Sequence, residues 1–286
     1  MSISVITPFF NRAHLIQRLI GTIENQTVQP IEIIIVDDCS TDDTETAVRD
    51  ATSPVPIVYT RLEKNGGGAI ARNAGIELAK GDYVAFLDSD DEWDPDHLQT
   101  LLERARSAAG DFVIASRARI VPGGRVMPRG EFPKHGSAAD QMYFVLSGGL
   151  AFQTSTLLMP RTTASRHKFD GRLRRHQDWD LIFRLIREKV ELNLLPSVST
   201  KYHAPAGTNL SLSRSLMPSL RFMARHRGAM SRKTISRFVA LEIDRRKPRH
   251  LKAAASLFKA WLCRGISTKE FVFYLMERFK RAIAGR

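Results

Sequence analysis

Ile31-Glu32-Ile33-Ile34-Ile35-Val36 restricts the fold of this chain more than any other stretch. A near-continuous β-branched run of this kind reads as a strand buried on both faces of a sheet. Both faces are covered only if helices lie above and below, so the flanking segments decide the class. Ser2 to Thr7 is a short apolar strand that Pro8-Phe9-Phe10-Asn11 is expected to break, Ile57 to Leu62 is another, and Tyr83 to Leu87 a fourth. Between them Leu15, Leu19, Ile20 and Ile23 recur at helical spacing, Ser40 or Thr41 can cap a second helix, and a third runs from Ala69 to Ala79. Strands alternating with helices build βαβ units and a mostly parallel sheet, whose ligands sit beyond the carboxyl ends of the strands. Thr7-Pro8, Asp37-Asp38, Asn65-Gly66-Gly67 and Asp88-Ser89-Asp90 all fall at that edge.

The chemistry concentrates where the fourth strand ends, in Leu87-Asp88-Ser89-Asp90-Asp91. Carboxylates crowded this closely repel one another, and burial makes the repulsion worse unless something positive neutralises it. Short Asp side chains suit a hard divalent cation that also holds phosphate oxygens, although a solvated acidic turn has the same sequence. Gly66-x-Gly68-x-x-Ala71 has the spacing of a dinucleotide-binding turn but follows the third strand, so it reads as a tight turn and argues little for a dehydrogenase. A second acidic cluster, Gln177-Asp178-Trp179-Asp180, precedes the apolar helix that starts at Leu181. Carboxylates favour that end of any helix, so a plain helix start competes with a catalytic role.

At 286 residues and 43% hydrophobic content the chain can bury one large α/β domain with an appendage. No apolar run approaches the roughly 20 residues that span a bilayer. The chain opens on a strand pattern with no basic leader, and Cys39 and Cys263 are too few for a disulfide framework or a zinc cage. A cytoplasmic protein is expected. The net charge of +13 resides in residues 201–286, which hold 20 Lys and Arg against 4 Asp and Glu. Helical patterns cover Leu216 to Met223, Ile235 to Leu241, Leu251 to Leu262 and Phe271 to Ile283, the last of them basic and amphipathic. Either this tail binds an anionic membrane surface or it packs on the core with a solvated basic face. No nucleic-acid-binding motif is present, and no such partner is expected.

Thr7-Pro8-Phe9-Phe10-Asn11-Arg12, Val36-Asp37-Asp38-Cys39-Ser40-Thr41-Asp42, Asn65-Gly66-Gly67 with Ala71-Arg72-Asn73-Ala74-Gly75, and Leu87-Asp88-Ser89-Asp90-Asp91 resemble, in order and spacing, the family 2 glycosyltransferases. Gln177-Asp178-Trp179-Asp180-Leu181 further resembles bacterial exopolysaccharide glucosyltransferases of the succinoglycan type, with Gln177 where the family has Glu. The resemblance covers about residues 1–205 and implies a GT-A fold, a Rossmann-like, mostly parallel sheet flanked by helices, so that a GT-A domain is expected over residues 1–210; the tail's own pattern adds a basic helical extension over 211–286. It implies that Thr7, Asp37 and Asp38 contact the nucleotide base, with Asp38 accepting from a pyrimidine N–H. Arg72 and Asn73 line the nucleotide pocket, unless the Arg is structural. Asp88 and Ser89 lie on the donor side, Asp88 reaching the ribose or the metal shell, and Asp90 ligates Mn²⁺ or Mg²⁺. His203 completes that shell or is an ordinary polar residue, and Asp178 is the catalytic base.

The implied activity is inverting transfer of a hexose, glucose first, from a UDP-sugar to a lipid-linked or polysaccharide acceptor in exopolysaccharide biosynthesis. With the basic tail on an anionic membrane surface, the expected location is peripheral, on the inner face of the plasma membrane. Transfer onto lipopolysaccharide or capsule is the nearest alternative, and a catalytically silent scaffold on membrane or nucleic acid the alternative of another class. Past the fourth strand, Asp111 to Val121 reads as a strand, 122–136 as a loop rich in turn residues, and Phe152 to Met159 as a strand at the sheet edge.

Overall fold

The computed structural model describes residues 1–147, 151–204 and 217–246. Its first part is β1 (Ile3–Phe9), α1 (Ile16–Glu24), β2 (Glu32–Asp37), α2 (Thr44–Arg49), β3 (Ile57–Arg61), α3 (Gly68–Leu78) and β4 (Tyr83–Phe86). After it come β5 (Glu92–Trp93), α4 (His97–Ala105), β6 (Phe112–Val121), β7 (Val126–Met127), α5 (Ala138–Ser147), β8 (Leu157–Pro160), α6 (Arg161–His167), α7 (Gln177–Arg187), β9 (Glu191–His203), α8 (Met217–His226) and α9 (Arg232–Arg246). One sheet runs in the order β3-β2-β1-β4-β8-β6-β9-β5, with β7 beside β6. The four N-terminal strands are parallel, as the βαβ pattern predicts. Beyond β4 the sheet is mixed: β8 is antiparallel to both β4 and β6, while β6 and β9 are parallel.

Alternate residues of the strands feed opposite faces. Ile34, Val36, Val84 and Phe86 enter one core, with α3, α5, α7, α8 and α9; Ile33, Ile35, Ala85 and Leu87 enter the other, with α1 and α4. Every residue of β2 is buried, as its β-branched run requires. Gly75 lets α3 settle on β1, since a Cβ there would stand 2.4 Å from Ile6.

Several sequence expectations change. β1 continues through Pro8, because its ladder with β4 ends at Ile6 and the missing N–H of Pro8 costs no bond on that side. The segment expected at the sheet edge, Phe152 to Met159, yields β8 in the interior, where Leu157, Leu158 and Met159 are fully covered. Neither Ser40 nor Thr41 caps α2; Asp42 accepts from the amide (3.2 Å) and hydroxyl (2.5 Å) of Thr44, and the Ser40 hydroxyl accepts from the Asn11 amide. The loop at 122–136 contains the short strand β7. In the tail, α8 and α9 coincide with two of the expected helices, and Phe222, Phe238 and Val239 join the core around α7. Leu251 to Leu262 and Phe271 to Ile283 lie outside the described residues, as does the expected boundary at 210.

His97 opens α4 fully buried, stacked on Trp93 with ring centroids 4.4 Å apart, and one ring nitrogen meets the Ser199 hydroxyl at 2.8 Å. Burial pushes its pKa down to about 3. The folded state therefore excludes a proton that the unfolded state binds below about pH 6.5. The stability tied to a neutral His97 is present above that value and declines by about 1.4 kcal/mol per unit as pH falls toward 3. Urea midpoints at pH 7 and pH 5 check this, with His97→Gln expected to flatten the difference.

Candidate active site

The carboxyl ends of β1, β2 and β4 form one rim, and the four sequence motifs meet there. Asp38 leaves β2 and accepts from the backbone N–H groups of Gly66 (2.6 Å) and Gly67 (2.7 Å). It thereby satisfies donors at the start of α3 that helix geometry leaves open. Gly67 holds φ at +85°, and a Cβ there would strike the Arg174 guanidinium, so only glycine suits this turn. Asp37 is fully buried and accepts from the Ser40 amide (2.8 Å) and the Tyr59 hydroxyl (2.8 Å). Thr7 is fully buried as well, and its hydroxyl has no partner within the described residues. These three side chains stand at the expected place, and the two carboxylates support the loops of the rim.

Asp88 and Asp90 behave differently. Asp88 is about a quarter exposed and pairs with Arg72 at 2.5 Å; Asp90, 29% exposed, pairs with Arg12 at 2.8 Å. Arg12 also reaches the Ser89 hydroxyl at 3.0 Å. The neutralising positive charge demanded by the acidic cluster is thus supplied by two arginines from other elements. Burial, followed by the charge of Asp88, still raises the Asp90 pKa, although Arg12 opposes both. Asp91 is a third carboxylate with no sequence role assigned. It is buried, accepts from Ser155 (2.6 Å), Gln153 (3.1 Å) and the His203 amide (3.0 Å), and burial with the charges of Asp88 and Asp90 drives its pKa well up.

Among the described residues no group of three His, Cys, Asp or Glu side chains converges as a metal cage. The chain offers a divalent ion two rim carboxylates, Asp88 and Asp90. That fits a cation that takes its remaining positions from phosphate and water oxygens, as Mg²⁺ commonly does. The His203 ring faces Glu92 at 2.8 Å instead of those two carboxylates. Asn73 is set apart too, its amide clipped to both the N–H (2.9 Å) and the C=O (2.8 Å) of Phe169.

Arg72 is what joins the two acidic clusters. Buried under Gly68 and beside Phe169, it reaches Asp88 with one nitrogen and the Gln177 carbonyl oxygen, at 3.0 Å, with another. Gln177 is the first residue of α7, so Asp178 follows directly, half-buried. Asp180 faces the other way. It is fully buried between Arg184 (2.9 Å) and His226 (2.8 Å), whose hydrogen bonds hold its pKa low against the opposing effect of burial. Of the two aspartates at this helix start, Asp180 is fully buried and structural, while Asp178 is half-buried and accepts from the Trp179 amide at 2.9 Å.

Tyr202 on β9 was silent in the sequence. Burial raises its pKa, and the charges of Asp91, Asp88, Asp90 and Asp178 raise it further. The phenol therefore stays protonated, and carboxylates of both acidic clusters are near enough to act on it. No sequence signal marks it, because its neighbours come from β4 and α7. Arg12 was within reach of the sequence, standing in a quoted motif while the acidic cluster lacked a cation.

The model of the family described as glycosyl transferase family 2 matches residues 4–183. The chain belongs to this family. Its relatives include the amylovoran biosynthesis glycosyltransferase AmsB of Erwinia amylovora, 35% identical over 71% of this chain and 70% of AmsB. The putative colanic acid biosynthesis glycosyl transferase WcaA of Escherichia coli is 31% identical over 65% of this chain and 66% of WcaA. The succinoglycan biosynthesis protein ExoO of Rhizobium meliloti is 38% identical, but over only 39% of this chain and 32% of ExoO. Several matches thus span less than two thirds of the relatives' own length. Among solved structures, S. aureus TarS superposes with a TM-score of 0.66 at 18% identity, covering 94% of this chain and 50% of TarS. The mannosyltransferase PcManGT from Pyrobaculum calidifontis, in complex with GDP-Man and Mn²⁺, gives 0.62 at 18% identity, covering 99% and 80%. This family 2 enzyme therefore has the GT-A fold, extended by C-terminal helices.

Proposed function

We propose that this family 2 glycosyltransferase moves a hexose, glucose in the first instance, from a UDP-sugar to a membrane-associated glycan acceptor. Transfer is inverting and depends on Mg²⁺ or Mn²⁺. The observation that carries the reading is a pair of carboxylate sites tied by one arginine: Asp88 and Asp90 follow β4, Asp178 lies at the start of α7, and Arg72 bonds both Asp88 and the neighbouring Gln177. Inverting transfer needs two such sites. The acceptor oxygen bonds to the anomeric carbon as the bond from that carbon to the diphosphate breaks, and Asp178 takes the acceptor's proton. Asp88 and Asp90 would hold the cation, which supplies Lewis-acid stabilisation to the departing diphosphate. Arg12 and Arg72 pair with those carboxylates, and Tyr202, protonated, can donate a hydrogen bond to a sugar or phosphate oxygen. A TarS structure with UDP-GlcNAc and the PcManGT complex with GDP-Man and Mn²⁺ support a nucleotide-sugar donor and a metal. The relatives serving amylovoran, succinoglycan and colanic acid synthesis support exopolysaccharide or capsule-type assembly. Paired sites with a built electrostatic frame favour an enzyme over a silent scaffold.

The membrane side of the proposal gains support from the β6–β7 hairpin. Residues 112–130 contain Arg117, Arg119, Arg125 and Arg129 and no acidic residue, and Arg119, Arg125 and Arg129 are exposed. Val121, at the end of β6, pairs with His203, whose amide bonds Asp91, so the hairpin is joined to the acidic cluster through β9. Each base near anionic lipid contributes about 1 kcal/mol, and the basic segment beyond 246 adds to them. No helix among the described residues is long and apolar enough to cross a membrane. UDP release, screened over UDP-sugars with and without lipid extract, tests the whole reading. Release with one sugar, stimulated by lipid, is expected; no release with any nucleotide sugar would remove the enzyme reading. Replacing Arg119, Arg125 and Arg129 by Glu should weaken sedimentation with anionic vesicles and leave UDP binding unchanged.

A further inference from the structure

A buried polar cluster lies directly behind the start of α7, and residues of the C-terminal extension build half of it. Glu242 on α9 faces the Arg175 guanidinium at 3.3 Å and the His176 ring at 3.6 Å. Ser219 on α8 bonds the same ring at 3.0 Å and donates to the Glu242 carboxylate. All four side chains are more than nine-tenths buried. His176 occupies the left-handed region, with φ at 62°, in the position that caps α7. A non-glycine residue holds that conformation only where its surroundings over-determine it. Here the surroundings are the Trp179 ring stacked 4.9 Å away at 12°, the Phe222 and Phe238 rings at 5.3 and 5.4 Å, and the Ser219–Glu242 pair. One turn further on, His226 of α8 bonds Asp180, so the extension grips α7 on both sides of Asp178.

We infer that Glu242 and Ser219 are positioning residues for Asp178: through His176 and Arg175 they set the direction in which α7 leaves its turn, and so where the Asp178 carboxylate stands relative to Asp88 and Asp90. The inference rests on the proposed role of Asp178 as general base. It assigns α8 and α9 to the catalytic unit, in addition to any part the basic tail plays at a membrane. A buried charged cluster is an unusual way to fasten two helices to a core that already has a stack of aromatic rings. Ion pairs are weak sources of net stability when buried, and their best-attested use is to select one arrangement among several. Apolar faces can slide by a fraction of an ångström, whereas the hydrogen bonds at His176 admit one register. Misplacement on the order of 1 Å at a reacting group can cost about 100-fold in rate.

The test is a cycle in the full-length chain. Glu242→Gln and Asp178→Asn are made singly and together, and turnover, acceptor KM and UDP-sugar Kd are measured for each. Glu242→Gln is expected to lower kcat about 10- to 100-fold with donor Kd unchanged, and the double variant to lose no more than Asp178→Asn alone, since a residue that acts through another has nothing left to move. Should Glu242→Gln fail to fold by circular dichroism, Ser219→Ala takes its place, because it removes the bonds to both His176 and Glu242 with little change in volume. Losses that multiply in the double variant, or a fall in donor affinity matching the fall in kcat, would overturn the inference in favour of general destabilisation. Full turnover in Glu242→Gln and Ser219→Ala, with Asp178→Asn impaired, overturns it and leaves the base intact. Full turnover in Asp178→Asn overturns the role of Asp178 itself.

Discussion

Asp90→Asn is expected to abolish the enhancement of UDP binding by divalent cation. Asp90 is one of two carboxylates that the rim offers a hard ion, and an amide oxygen is a far poorer ligand than a charged one. The substitution also releases Arg12 from its ion pair, leaving it with Ser89 and free to meet phosphate directly. UDP affinity without metal should therefore hold or rise slightly while the metal-dependent part disappears. Calorimetric titration of UDP with and without Mn²⁺, on both proteins, reads the two contributions separately. A metal enhancement of the same size in the variant would remove Asp90 from the site and direct attention to Asp88 alone.

Asp178→Asn should retain UDP-sugar binding and lose about 10² to 10⁴ in turnover, the usual contribution of a general base. The two substitutions separate because Asp90 stands at the end of β4 and Asp178 opens α7, on either side of Arg72. The neighbouring Asp180 provides a control of a different kind. Asp180→Asn leaves buried His226 and partly buried Arg184 without their carboxylate, so it is expected to lower thermal stability as well as rate. Single-turnover measurements with donor bound distinguish loss of chemistry from loss of affinity. If Asp178→Asn lost donor affinity in step with turnover, its carboxylate would belong to the donor site.

The carboxyl-edge rim was legible because its signals are local. A β-branched run closed by Asp37-Asp38, and an apolar strand running into Asp88-Ser89-Asp90, are consecutive residues whose periodicity and termini carry the information. Parallel pairing follows from the alternation of helix and strand, and the register then sets Asp37 opposite Phe9 and Phe86 opposite Ile6, so that Thr7, Asp37 and Asp88 gather near one carboxyl edge. Roles within the rim were less legible. Asp38 is spent on the Gly66 and Gly67 amides, Asn73 on Phe169 and His203 on Glu92, and each of these partners lies between 28 and 111 residues away in the chain. A polar side chain near a ligand site looks the same in sequence whether it faces the ligand or supports a loop.

By itself the sequence determined the parallel half of the sheet, the edge at which the site forms, the two acidic clusters and the basic character of the tail. These follow from hydrophobic periodicity, strand and helix termini and net charge, all of which act over a few residues or over the whole composition. Only the tertiary structure decided that β8 enters the middle of the sheet, that Arg12 and Arg72 neutralise the acidic cluster, and that Asp180 is buried while Asp178 is not. It alone decided that α8 and α9 close over the start of α7. Such choices depend on which distant surfaces are complementary once the core has formed, and neither spacing nor propensity encodes that pairing.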